Sequence, residues 1–352
     1  MDPQFENPRV SSFTGGIEQS LPYNVVVTGT FSYVHSTHLR TGGYGSEEAW
    51  QRNYNVVGTD SFGRSIIQDT FSYTGGVLTQ FPTPLDSTLP TATNETASFS
   101  YGNYASLVLN VTKRFSNHFQ VFANYIWSQN KDNGASERDT DTYFGQQDPI
   151  NLKIDYFRNG LDIRNQFKAA GVYELPWGFE VSSSVIAHTG VPFPLYTAQD
   201  INGDEVSDLS HNNDRPTFTN SHGKTSLLSR YPFDQPGYFE WDGRLQKDIH
   251  VHERFHVIAS GDFFNMTNRG NLYSNPNNPN TATISLAGCT PRFTPTPPVG
   301  GTGIVTGPAG MICPSLTPAT MPVIGVNGFR AITQIAPGST PFAFQAGIKF
   351  VF

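Results

Sequence analysis

Charge is scarce in this sequence. Asp, Glu, Lys and Arg make up only 14% of its 352 residues, against roughly 25% in typical soluble domains. The surplus is acidic, a net charge of -7, and no basic stripe tracks along the chain, so nucleic-acid binding has no support and nucleic acid is not an expected partner. No apolar run approaches the ~20 residues of a membrane-crossing helix, and helical periodicity is nearly absent. The first ten residues are polar, carry Pro3 and Pro8, and hold no apolar signal-peptide core. Also missing are a nucleophile elbow, a phosphate loop and the Cys/His spacing of a zinc site. The chain is therefore expected not to be an enzyme. A Ser or Asp paired with His in space, as in barrel-embedded hydrolases, is a pairing that a sequence does not display.

Aromatics are abundant at 13%, with 27 Phe and 15 Tyr, and 33 Gly and 25 Pro fill much of the remainder. Such aromatic richness argues against intrinsic disorder. Period-2 alternation recurs instead of a helical period. Over Asn24–His38, Val25, Val27, Phe31 and Tyr33 alternate with Thr28, Thr30, Ser32 and Ser36. Tyr104–Phe115, Phe119–Ser128, Arg164–Leu175 and Phe255–Asn265 repeat the pattern, each near the ~9–11 residues that cross a bilayer at a tilt. Tight turns join some runs: Leu21-Pro22-Tyr23-Asn24, Ser116-Asn117-His118, Pro176-Trp177-Gly178 and His250-Val251-His252-Glu253. Between the others lie long connections without structure of their own, roughly 41–63, 75–97, 129–150, 191–236 and 269–327. Aromatics gather near strand ends at Tyr23, Phe115, Phe119, Trp127, Trp177, Phe179 and Trp241. Short turns on one side, long loops on the other and aromatic girdles predict an all-β fold, an antiparallel up-and-down transmembrane β-barrel of about 10–12 strands. A soluble β-sandwich is the competing fold, and it would seldom carry so many long loops.

The last segment alternates Phe342, Phe344, Ala346, Ile348, Phe350 and Phe352 with Gln345, Gly347 and Lys349. It looks like the outer-membrane assembly signal, in which a polar residue, a Gly two positions on, and alternating aromatic or apolar residues lead to a terminal Phe. Gln345, Gly347, Phe350 and Phe352 fit that pattern, and a strand edge of this kind can pair with another sheet edge. Further stretches resemble the C-terminal half of Oar-like TonB-dependent receptors. They are Asn7-Pro8-Arg9-Val10 leading to Gly16-Ile17-Glu18-Gln19-Ser20-Leu21-Pro22; Asn213-Asp214-Arg215-Pro216; Asp242-Gly243-Arg244-Leu245-Gln246-Lys247-Asp248; and Phe263-Phe264-Asn265-Met266-Thr267-Asn268-Arg269-Gly270-Asn271. In that family a regulatory domain and a plug precede a barrel of about 22 strands. The resemblance implies that residues 1–352 form one barrel region, the C-terminal part of a larger one, with signal peptide, regulatory domain and plug absent from it. It also implies first and last strands left as open edges or paired with each other imperfectly. Its implied partners are outer-membrane lipid, the barrel-assembly machinery, TonB only through the missing plug, and an extracellular ligand.

Local chemistry is sparse. Asp200, Asn202, Asp204 and Asp208, with Gly203 for a turn, imitate the start of a calcium loop, but His211 stands where the closing Glu belongs. The two readings are a solvated acidic loop and a weak calcium site, the one cofactor to be considered. Asp132, Glu137, Asp139, Asp141 and Asp148 form a second acidic group, a solvated face or a screen for cationic ligands. His250 and His252 share one strand side, either solvated or weakly metal-binding. Asn94, Asn110 and Asn265 open Asn-X-Ser/Thr triplets that match a glycosylation pattern by chance. Cys289 and Cys313, in one Pro/Gly/Thr-rich loop, are either loop thiols or, after export, a disulfide. The function expected is that of a bacterial outer-membrane barrel segment of a TonB-dependent receptor that binds or takes up an extracellular ligand. The alternative is a standalone porin or adhesin-like barrel without energy coupling.

Overall fold

A computed structural model describes residues 5–41, 55–80, 97–133, 147–148, 151–203, 214–252, 255–273, 283–323, 334–336 and 339–352. Nine long strands run as an antiparallel meander: β1 (Arg9–Leu21), β2 (Val25–Thr41), β3 (Ala97–Ser116), β4 (Phe119–Asp132), β5 (Asn165–Leu175), β6 (Phe179–His188), β7 (Tyr238–His252), β8 (Phe255–Phe264) and β9 (Ala343–Val351). With the two-residue strand Phe157–Arg158 beside β4 they make one ten-stranded sheet. Every neighbour along the chain is a neighbour in space, and the order ends at β1 and β9. Among the described residues no pairing joins these two, so both remain open edges.

The register explains the alternation. Apolar residues fall on one face in cross-strand rows, as in Gly29↔Leu109↔Tyr125↔Phe167 and Ala259↔Ile348. They stay in contact with the surroundings: Leu109, Leu245 and Ile348 are 42%, 44% and 69% exposed. The opposite face carries polar ladders. Asn110 Nδ2 donates to Thr28 Oγ1 at 3.0 Å, and Asn124 Nδ2 donates to Asn110 Oδ1 at 2.6 Å. This face curves around a cavity of about 660 Å³ whose wall includes Thr112, Gln120, Ser184, Asp242, Arg244 and Asp262. Residues from β3 and β8 bordering one cavity show that the polar face is concave. Among the described residues, none of the buried hydrophobic side chains, from Ile66 to Leu316, belongs to the nine long strands. A sandwich would bury those rows between two layers; here they line the outer surface, as in a wall built to face hydrocarbon.

One edge of the sheet is closed by short turns. Asn117 and His118 both take positive φ, 54° and 69°, the left-handed pair that matches strand twist in a two-residue hairpin. Pro22-Tyr23-Asn24 and Pro176-Trp177-Gly178 use Pro to fix the entry and then two left-handed residues. The fourth turn includes residues 253–254, outside the described residues. Trp177, 85% exposed, and Tyr23, 75% exposed, mark this rim, which in outer-membrane barrels faces the periplasm.

At the other edge two expectations need correction. The segment between the expected connections 41–63 and 75–97 is not a wall strand. Ser65–Thr74 belongs to a separate four-stranded sheet with Val56–Thr59, Val77–Gln80 and Gly303–Pro308. Likewise the long connections are not structureless: they hold the chain's buried apolar core. Phe193, Leu195, Leu228, Leu286 and Leu316 cluster there, with Phe218, Phe233, Ile284, Cys289, Cys313 and Met321 against them. The physical reason is that these loops fold against one another in water, whereas the wall's apolar rows face outward.

Candidate functional site

The loop edge is built around a buried guanidinium. Arg215 is fully buried and spends its donors on partners from separate loops. Its Nε donates to Gln147 Oε1 at 3.0 Å, Nη1 to the Leu228 carbonyl at 2.8 Å, and Nη2 to the Ile154 carbonyl at 2.9 Å and Asp155 Oδ1 at 2.8 Å. Asp155 in turn accepts the Gln147 backbone N–H at 2.9 Å. Arg64, from the loop after β2, donates to the Arg215 carbonyl at 3.2 Å and pairs with Asp60 at 2.6 Å. Burial pushes the Asp155 carboxyl up and Arg215 down, and each is opposed first by the other's charge. Geometry favours the charged pair, because a planar fork with each partner in line is what guanidinium supplies and ammonium does not.

Backbone bonds extend the lock across loops. Ile67 N donates to Asn202 O at 3.1 Å, Ala309 N to Ile67 O at 2.7 Å, and Leu316 N to Thr217 O at 2.8 Å. Gly310, at φ 82°, allows a close approach: a Cβ there would lie 2.4 Å from the Ile201 carbonyl oxygen. The described parts of four connections, those after β2, β4, β6 and β8, thus fold into one assembly above the wall.

Asp214 lies at the seam. Its carboxylate accepts Ile201 N at 2.5 Å and Gln147 Nε2 at 3.3 Å. Burial first, and Asp200 second, push its pKa up to about 7. Folded Asp214 thus holds its proton to higher pH than the unfolded chain does. Its contribution is fully present below the ordinary carboxylate range and is lost as pH rises through about 7. Hydrogen exchange over 199–203 and 214–217 is expected to quicken between pH 6 and pH 8 beyond the intrinsic rate, and Asp214→Asn is expected to flatten that change. Identical profiles for the two proteins would refute the role of Asp214.

Residues singled out in the sequence fall into this frame. Asn202 is buried with its amide on the Gln147 carbonyl at 3.0 Å, and Asp200 Oδ1 accepts Gly203 N at 2.7 Å. Asp204 and Asp208 lie outside the described residues, as do His211 and Asn94. Of the second acidic group, Asp132 and Asp148 form no solvated face. Asp132 is buried against Arg230 at 2.9 Å, and Asp148 accepts the Ser65 and Asn151 N–H groups at 2.6 and 3.0 Å. Glu137, Asp139 and Asp141 lie outside the described residues. Cys289 and Cys313 are joined as a disulfide within the loop core. Gln345 stands opposite Asp262 on the concave face and Gly347 opposite Ser260, while Phe350 and Phe352 point outward, 59% and 92% exposed.

The conspicuous stretches Asp242–Asp248 and Phe263–Asn271 prove to dock on each other. Asp242 Oδ1 accepts Asn265 N at 2.8 Å. Asn265 Nδ2 donates to the Arg269 and Thr340 carbonyls at 3.0 and 2.7 Å, tying β8 to the entry of β9. Asn265 is thus a buried structural amide. Sequence reasoning missed the Arg215 hub as chemistry. The only signal was the order Asn213-Asp214-Arg215-Pro216, and its partners stand 60 or more positions away along the chain at Asp155 and Gln147.

The outer membrane beta barrel domain family matches residues 1–293. No curated protein matches the sequence. Among solved structures, the chain is similar to the outer membrane transporter YddB from Escherichia coli, at 10% identity and a TM-score of 0.39, covering 88% of this chain and 32% of that one. It is also similar to the ferric-catecholate import receptor Fiu from Escherichia coli K12, at 9% identity and a TM-score of 0.36, covering 88% of this chain and 27% of that one. The similarity to a Pseudomonas aeruginosa FadL homologue has 9% identity and a TM-score of 0.21, covering 86% of this chain and 65% of that one. The chain spans about a third of the length of the first of these proteins.

Proposed function

This chain belongs to the outer membrane beta barrel domain family, and from that premise we propose that it is the ligand-facing barrel segment of an Oar-like TonB-dependent receptor. Its place is the bacterial outer membrane. The observation that carries the reading is the loop assembly: the described parts of the long connections fold into one buried, cross-linked body at one edge of a membrane wall. A rigid scaffold that presents loops is a common basis for recognition, and a passive pore has little use for so elaborate a covering. The role is binding and uptake rather than catalysis. Coupling to TonB would run through a plug domain of the kind the family resemblance implies, and the concave face with Arg244 paired to Asp262 lines the route inward.

The test compares solutes consumed from the medium by cells with and without the gene, each with and without a proton-motive-force uncoupler. Solutes whose uptake needs both the gene and the energised membrane are expected. Gene-dependent uptake that ignores the uncoupler overturns energy coupling and favours a porin.

A further inference from the structure

We propose that Asp248, His250 and His256 form a binding site for a divalent transition metal, of the zinc, nickel or copper class, on the concave face at the short-turn rim. The three residues sit together because of strand register. His250 and His256 are directly opposed on β7 and β8, and Asp248, two positions earlier on β7, shares their face. Opposed Cβ atoms in an antiparallel pair lie about 4.5–5.5 Å apart. The two imidazoles accordingly stack, with centroids 5.2 Å apart and planes 17° apart. The Asp248 carboxylate lies 2.8 and 3.0 Å from His256 Nδ1 and 3.8 Å from His250 Nδ1. One ligating atom from each residue lies within 4.8 Å of the others.

That donor set is specific in its chemistry. Two imidazoles and a carboxylate suit borderline metals, while calcium and magnesium need a shell of oxygens. With zinc–nitrogen bonds of about 2.0–2.1 Å, ligand atoms in a tetrahedral centre stand about 3.3 Å apart. Closing from the present spacing requires side-chain rotation only. His256 and Asp248 are partly buried and form the fixed half, while His250, with its side chain 76% exposed, is free to turn. Three protein ligands leave a fourth position for water. Lys349 stands on the same face, opposite Ile258, and its charge favours an exchangeable ion over a permanent structural one. The pair that the sequence offered, His250 and His252, is not the pair that register brings together; the cross-strand partner of His250 is His256.

The purified full-length chain, stripped with chelator in detergent, is titrated with zinc or nickel chloride by calorimetry. One ion per chain is expected to bind. Replacing either ligand histidine, in His250→Ala or His256→Gln, is expected to weaken affinity at least 10-fold, and Asp248→Asn 10-fold or more. Calcium and magnesium should give only the heat of dilution. Cobalt added to the unmodified chain supplies a readout that needs no variant: visible ligand-field bands of a nitrogen-ligated ion, absent from the double variant His250→Ala/His256→Gln. An unmodified chain that shows neither saturable heat nor cobalt bands overturns the proposal. So does a double variant that binds as tightly as its parent.

Discussion

Replacing Arg215 with Met opens the extracellular loops while leaving the wall intact. The substitution keeps side-chain bulk but leaves the Asp155 carboxylate buried without its charge partner, and removes donors from Gln147, Leu228 and Ile154. Breaking a buried ion pair from one side costs about 3–5 kcal/mol. Arg215→Lys is expected to fail nearly as badly, because an ammonium cannot reproduce the planar fork. The double replacement Arg215→Met/Asp155→Leu should recover most of the loss, since the stranded charge is gone. Hydrogen exchange reads the result: protection drops in 151–156, 199–203 and 214–228 in the single variants and stays unchanged in β1 to β9, none of which contributes a side chain to Arg215. A single Met variant as well protected as the parent removes the hub from the account.

An arginine at position 109 blocks assembly into the membrane, whereas one at position 108 is tolerated. Leu109 projects from the outer face of β3, between Gly29 and Tyr125, and a lipid-facing Arg near the bilayer midplane costs about 2–4 kcal/mol. Val108, its immediate neighbour, points to the concave side, opposite Thr30 and Ile126, where water solvates a cation. Recovery of each variant in the outer-membrane fraction, and urea midpoints in lipid vesicles, measure the difference. Equal behaviour of Leu109→Arg and Val108→Arg would mean that the two faces are not lipid and water. A chain stable in plain buffer, with its outward apolar rows buried in a dry interior, would overturn the membrane wall itself.

Much of the wall was legible in the residues. The alternating runs named strands β2 to β5 and β8 to within a few positions, except that β2, β3 and β4 continue further at the loop edge. Period-2 patterning persists only while one face meets hydrocarbon, so the extensions carry a weaker signal. Ser65–Thr74, set between two of the expected connections, shows where apolar content says nothing of the wall. Its Ile66, Ile67, Phe71 and Tyr73 are apolar because they are buried in a loop sheet, and burial writes the same residues as lipid contact.

The sequence by itself determined most of the strands, their two faces, the short-turn rim and the outward aromatic terminus. Each follows from local rules: side chains alternate along a strand, and Pro, Asn and Gly set turns within a few residues. Only tertiary structure decided that the long connections form one packed body, that Arg215 stands at its centre, and that His250 faces His256 rather than His252. Those facts depend on contacts between segments far apart in the chain. No local period encodes such partners; they are chosen by which buried charges and apolar groups can be satisfied together once the wall has brought the loop ends into one place.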